Sequence, residues 1–68
     1  MTQAERIREY MERFGSISPF EAFQDLGITK LSTRIGEMRD SGIPIFSDWF
    51  ESKNRYGDKV RYKRYWLG

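Results

Sequence analysis

Residues 18–42 decide the fold, and they read SPFEAFQDLGITKLSTRIGEMRDSG. Ser18 is a helix N-cap candidate, Pro19 suits the first helical position, and Glu21 can reach back to the Ser18 amide, which completes a capping box. Gly27 follows the last apolar residue of this segment and is typical of a left-handed residue that ends a helix. The pattern predicts a short helix over about 19–26.

A second helix follows almost at once. Thr29 is a candidate N-cap. Apolar residues then recur at helical spacing, at Leu31, Ile35 and Met38, until a Ser-Gly pair stops the pattern. This spacing predicts a helix over about 30–41. The break of three residues, 26–28, leaves room only for a tight turn between two helices that cross.

Toward the N-terminus, residues 3–14 form a third amphipathic pattern. Its apolar side chains are Ala4, Ile7, Met11 and Phe14, with Tyr10 beside them. This spacing predicts a helix over about 3–14 that buries one stripe. Its opposite face alternates glutamate and arginine, and we interpret it as a solvated face without a function.

Toward the C-terminus the apolar period changes from helix to strand. Pro44 forbids continuation of the helix, and residues 45–53 and 59–67 are rich in β-branched and aromatic side chains. They flank a loop that contains Gly57, so the pattern predicts a β-hairpin.

The register of this hairpin depends on its loop length. A two- or four-residue loop would turn Phe46 and Phe50 inward with Tyr65 and Leu67, whereas a three-residue loop would turn Ile45 and Trp49 inward with them. We favour the second alternative. In either case one aromatic set remains on the outer face.

Composition excludes most catalytic chemistry. The chain has 68 residues and contains neither cysteine nor histidine, which removes disulfides, thiolate nucleophiles and the usual zinc ligands. We expect one domain over residues 1–68, no enzyme activity, no cofactor, no metal and no small-molecule substrate. The N-terminal stretch is charged, and no apolar run approaches the roughly 20 residues of a membrane span. We therefore expect a cytoplasmic protein without a membrane contact.

The net charge of +2 hides an asymmetry. Residues 1–52 carry six basic and nine acidic side chains, whereas residues 53–68 carry six basic side chains and one acid. A basic C-terminal quarter on a mildly acidic body indicates a polyanion contact at one end of the molecule.

The chain also carries family motifs. They are Gly15-Ser16-Ile17-Ser18-Pro19, Leu26-Gly27-Ile28, Leu31-Ser32-Thr33-Arg34-Ile35 with Met38-Arg39, Ser41-Gly42-Ile43-Pro44-Ile45, Lys53-Asn54-Arg55-Tyr56-Gly57 and Tyr65-x-Leu67. With this element order, nearly the whole chain resembles the small winged helix-turn-helix domains common in bacteriophage and prophage proteins. The resemblance implies an α+β fold, a third helix in the DNA major groove, and a hairpin wing on backbone or minor groove. It also implies a transcriptional regulator or an excisionase-like architectural factor. In one departure, the familiar pattern has alanine four residues before the turn glycine, where this chain has Phe23, with Ala22 one position earlier.

Two groups of residues are the candidate DNA contacts. On the helix predicted over about 30–41, the third in chain order, they are Thr29, Lys30, Ser32, Thr33 and Arg34, which offer donors to phosphates or base edges. On the hairpin they are Lys53, Asn54, Arg55, Tyr56, Lys59, Arg61 and Lys63, a cluster richer in charge than protection of a strand edge requires. Glu37 and Asp40 weigh against the helix, because carboxylates beside phosphates cost energy. The hairpin is therefore the stronger candidate.

The aromatic residues suggest a second function. We expect a core that includes Phe14, Phe20, Phe23, Trp49 and Tyr65. The hairpin also carries Phe46, Phe50, Tyr62 and Trp66, which cannot all be buried on one side. The surplus would form an apolar patch for a second copy of the chain or for another protein. The alternative function is thus a protein-interaction adaptor or an inhibitor of a host protein.

Overall fold

The computed structural model describes residues 2–68. Its helices and strands are, in chain order, α1 (Gln3–Phe14), α2 (Pro19–Leu26), α3 (Leu31–Asp40), β1 (Ile45–Lys53) and β2 (Lys59–Leu67). The two strands form an antiparallel hairpin. Three helices followed by a hairpin confirm the predicted α+β architecture.

Local sequence fixes both ends of α2. The Ser18 hydroxyl accepts the Glu21 N–H at 3.3 Å, and the Ser18 N–H donates to Oε1 of Glu21 at 3.0 Å, so the predicted capping box is confirmed. At the other end Gly27 adopts φ 69° and ψ 23°, the left-handed region that glycine enters without a steric cost. The next amide, that of Ile28, donates to the Ala22 carbonyl at 3.0 Å. The chain therefore turns directly from α2 toward α3.

The start of α3 differs from the sequence prediction. Thr29 was the expected N-cap, but the cap residue is Lys30 and the helix begins at Leu31. Lys30 makes no side-chain capping hydrogen bond, because an ammonium group has no acceptor. Ile28 and Leu31 both enter the core, and the turn that joins them places Thr29 one residue too early to cap the helix.

The core consists mainly of aliphatic and methionine side chains. The buried set is Ile7, Met11, Ile17, Ala22, Ile28, Leu31, Ile35, Met38, Ile45 and Tyr65. Ile17 and Tyr65 also exchange two backbone hydrogen bonds of 2.9 Å. The connection between α1 and α2 is thereby paired to β2, along the edge opposite β1.

The prediction of an aromatic core was wrong for three phenylalanines. Phe14, Phe20 and Phe23 are 61%, 70% and 60% exposed. On α2 the fully buried Ala22 takes the inward position, which turns the adjacent Phe23 outward. Phe14 is the last residue of α1 and packs on Tyr10, with ring centroids 4.6 Å apart.

The hairpin has the register of a three-residue loop. Ile45 lies opposite Leu67 and Lys53 opposite Lys59. The Gly57 amide donates to the Asn54 carbonyl at 3.0 Å, and Gly57 has φ 82°, as in a turn followed by a left-handed glycine. Odd-numbered residues of both strands therefore share one face, as the favoured alternative expected.

Trp49 shares that face but not the core, so its predicted burial was wrong. Ile45 and Tyr65 contact the helices at the base of the hairpin. Trp49 lies four residues farther along β1, about 13 Å beyond Ile45 at the usual rise per residue. It is 53% exposed. The hairpin projects past the helices, and the molecule measures 39 × 21 × 21 Å.

Candidate nucleic-acid interface

The register divides the outer hairpin into two unlike faces. The odd-numbered positions carry Trp49, Glu51, Lys53, Lys59, Arg61 and Lys63, which we call the cationic face. The even-numbered positions carry Phe46, Phe50, Val60, Tyr62 and Trp66, which we call the aromatic face. Two strands that each alternate side-chain direction thus separate most of the basic residues from most of the aromatic ones.

The tip of the hairpin concentrates positive charge. Lys53 and Lys59 are direct cross-strand partners, and like charges in such a pair repel each other. Arg55 lies in the loop between them. All three side chains are exposed, and among residues 2–68 none of them forms an ion pair. The tip therefore carries positive charge that no acidic side chain of residues 2–68 pairs with.

Asn54 has a structural role in the loop. Its Oδ1 accepts the N–H groups of Tyr56 and Asp58 at 2.9 and 3.0 Å, so this oxygen is engaged within the loop and the Nδ2 amide is the group that it leaves for a ligand. Tyr56 is the most exposed large hydrophobic side chain of residues 2–68, at 87%. Asn54 shapes the loop, while Tyr56 and Arg55 project from it.

Two predicted contact residues surround the exposed Trp49 on the cationic face. The Arg61 guanidinium lies 5.0 Å from the Trp49 ring centroid, and the Lys63 ammonium lies 5.3 Å from it. Lys63 is the direct cross-strand partner of Trp49. The sequence analysis did not identify Trp49 as a site residue. A three-residue loop, however, puts Trp49 on the same face as Arg61 and Lys63, so the register could have indicated it.

Arg64 is the one basic residue of the C-terminal quarter that the fold itself uses. Its guanidinium donates to Oε1 of Glu21 at 2.7 Å and to the Ser16 hydroxyl at 3.1 Å. Burial is the largest single effect and lowers the pKa of Arg64, but hydrogen bonding and electrostatic attraction to Glu21 and Tyr62 together outweigh it and raise this pKa above its ordinary value. The charge left for a ligand is carried by the other five cations.

The candidate contacts of the third helix are only partly free. Thr29, Lys30, Ser32 and Thr33 are exposed. Arg34 is half-buried and donates to Glu37 at 2.7 Å, so one of its donors is engaged within the helix.

Arg39 connects the end of α3 to the hairpin. Its guanidinium donates twice to the Ile45 carbonyl, at 2.9 and 3.1 Å, and lies 6.0 Å from the Tyr65 ring centroid. A longer hydrogen bond of 3.4 Å reaches Ser47, two residues before Trp49 on β1. The C-terminal end of α3 therefore meets the odd-numbered side of β1.

A family model described as a winged helix-turn-helix domain matches residues 2–68. The chain belongs to this family. Winged helix-turn-helix domains generally bind DNA and are typically not enzymes. Neither the curated proteins nor the solved structures contain a match to the chain.

In winged helix-turn-helix terms, α3 occupies the place of the recognition helix and the hairpin is the wing. Ala22, one residue before the alanine position of the familiar helix-turn-helix pattern, is fully buried, whereas Phe23 at that position lies outside the core.

The aromatic face of the wing is a second exposed surface. Phe46 and Phe50 are exposed, and the Phe50 and Tyr62 rings stack with centroids 6.1 Å apart. An open groove of about 820 Å³ runs between the start of α2, at Phe20, and the outer part of this face, at Val60 and Tyr62. The predicted aromatic surplus is thus present on one side of the hairpin.

Residues 2–68 carry neither a metal-binding cluster nor a membrane-spanning helix. Within that range no group of three or more Asp, Glu, His or Cys side chains is arranged to hold a metal ion. No helix of the same range has the length and apolar character needed to cross a membrane.

Proposed function

We propose that this winged helix-turn-helix domain is a duplex-DNA-binding module whose wing provides most of the affinity. The observation that carries the proposal is the pair Lys53 and Lys59, which face each other across the hairpin without an acid partner in residues 2–68. Phosphates on either side of a groove would relieve their repulsion and release counterions from the DNA. Arg55, Arg61 and Lys63 extend the same contact.

The N-terminal half of α3 provides the second contact in this proposal. Thr29, Lys30, Ser32 and Thr33 offer donors to the major groove. Arg34 would first have to leave Glu37. Because Glu37 and Asp40 are acidic, we assign the C-terminal half of the exposed helix surface no phosphate contact.

The biological setting that fits such a module is a small phage or prophage regulator of transcription, or an excisionase-like factor that bends DNA. It would act in the cytoplasm of a bacterial cell. One short helix and one wing make a small interface, so a monomer would bind weakly. Specific binding would need a dimer or tandem sites about one helical turn apart.

Fluorescence anisotropy with a labelled random duplex at low salt tests this proposal. We expect binding whose logarithm falls linearly with the logarithm of the salt concentration, and we expect Arg55→Ala to reduce the slope by about one phosphate contact. Arg6→Ala on α1 removes the same charge outside the hairpin and is the matched control. Absence of binding to duplex DNA at low salt would overturn the proposal.

A protein-interaction adaptor is the second candidate. The observation in its favour is the aromatic face, on which Phe46 and Phe50 are exposed. Retention of a host protein by the immobilised domain after nuclease treatment, together with no binding to duplex DNA, would favour the adaptor.

A further inference from the structure

We propose that Trp49, with Arg61 and Lys63, forms a stacking site for an unpaired nucleotide in DNA. The indole is half exposed, and the two cations lie 5.0 and 5.3 Å from its ring centroid. The base would stack on the indole ring, and the two cations would bind the flanking phosphates. This inference rests on the proposed DNA-binding function and adds a preference among DNA structures.

Trp49 belongs neither to the hydrophobic core nor to the aromatic face of the hairpin. It lies outside the core cluster, whose contribution from β1 is Ile45. It also lies on the face opposite Phe46 and Phe50, so it is separate from the aromatic face. A large apolar ring among cations does nothing to protect a strand edge, since a lysine would serve that purpose better.

The surroundings of Trp49 favour a nucleotide as its ligand. An aromatic ring beside basic side chains is the arrangement with which proteins bind single strands, because every base has a flat π surface and every nucleotide carries a phosphate. Arg61 and Lys63 form no ion pair within residues 2–68. Their long side chains can move from the ring to phosphates when a base takes the ring surface.

The replacement of the two cations by a base on the Trp49 ring favours DNA in which a base is accessible. Stacking of a base on an aromatic ring is stronger than a cation–π contact at an exposed site. In an intact duplex the bases are already stacked on each other, so Trp49 gains little there. A gap, a bulge or a strongly kinked step would give the ring a partner.

The test compares an intact duplex with the same duplex that carries a central gap of unpaired thymines. Trp49→Leu should lower affinity for the gapped DNA by about tenfold, as loss of one stacked base predicts, and should change affinity for the intact duplex much less. Trp49→Phe keeps an aromatic ring and should restore most of the loss. Trp66→Phe, on the other face of the hairpin, is the matched control and should leave the preference unchanged.

Fluorescence gives an independent readout. The chain contains two tryptophans, so in the Trp66→Phe background Trp49 is the only indole. We expect the gapped DNA to quench its emission more strongly than the intact duplex does. Equal effects of Trp49→Leu on both DNAs, or no quenching by the gapped DNA, would overturn the stacking site and leave duplex binding in place. Loss of duplex binding alone, with Trp49-dependent binding of the gapped DNA retained, would instead overturn the proposed duplex function.

Discussion

Arg64 of β2 and Glu21 of α2 form an ion pair of 2.7 Å through the same Oε1 that accepts the Ser18 N–H at 3.0 Å. One carboxylate oxygen therefore closes the capping box of α2 and holds the wing strand against that helix. Both side chains of the pair are about one-quarter to one-third exposed. The wing is thus attached to α2 by charge and to the connection between α1 and α2 by the Ile17 and Tyr65 backbone pair.

Substitutions at Glu21 should separate these two roles. Glu21→Ala removes the acceptor of the Ser18 N–H and the ion pair but keeps the Ser18 cap, and we expect it to lower the free energy of unfolding by about 1–2 kcal/mol. Glu21→Gln keeps an acceptor for the Ser18 N–H and loses the charge, so it should cost about 1 kcal/mol or less. Urea denaturation measures both. Glu12→Gln, which breaks the exposed pair with Arg8, is the control, and an equal loss in all three variants would contradict the shared-oxygen interpretation.

Tyr10 gives a prediction about alkaline pH. Its hydroxyl donates to Oδ2 of Asp25 at 2.6 Å. This hydrogen bond, with burial and nearby carboxylates, raises the pKa of Tyr10 to about 12. An unfolded tyrosine has a pKa of about 10, so the stabilisation is complete below about pH 10 and is lost as pH rises through about 12. Ultraviolet titration should show one tyrosine ionising last, and Tyr10→Phe should remove that step. If Asp25→Asn leaves the last step unchanged, the hydrogen bond is not its cause.

The sequence was sufficient for features that depend on local chemistry. The capping box at Ser18 and the left-handed Gly27 follow from residue types at fixed spacing. The sequence was insufficient to predict which side chains of α2 enter the core, because either of the adjacent apolar residues Ala22 and Phe23 could face inward. On α2 the small Ala22 allows close approach of neighbouring elements, and this long-range requirement decided against Phe23.

The candidate site shows the same division. The charge of the hairpin was evident from composition. Which cations remain free depends on contacts between residues distant in sequence, such as Arg64 with Glu21, 43 positions apart. The segregation into a cationic and an aromatic face depends on the loop length, because a shift of one residue would have placed Lys59, Arg61 and Lys63 on the same side as Phe46 and Phe50.

Asn54 should separate loop shape from charge. Asn54→Ala removes the acceptor for two N–H groups, and we expect it to cost about 1 kcal/mol in thermal or urea unfolding. Asn54→Asp keeps the acceptor and should retain most of the stability. It places a negative charge at the wing tip, so it should weaken binding to duplex DNA in anisotropy. Equal DNA affinity of the aspartate variant and the parent would show that the tip lies away from the phosphates.

Lys59 should affect stability and binding in opposite directions. Lys59→Gln removes the repulsion with Lys53 across the strands, and we expect it to raise the free energy of unfolding by about 0.5 kcal/mol. The same change removes a phosphate contact, so DNA affinity should fall and the salt slope should decrease by about one. Arg6→Gln makes the same charge change on α1 and should alter neither quantity in this way. If Lys59→Gln lowered both stability and affinity, Lys59 would stabilise the fold. That result would contradict the interpretation of Lys53 and Lys59 as a repulsive pair that binds phosphate.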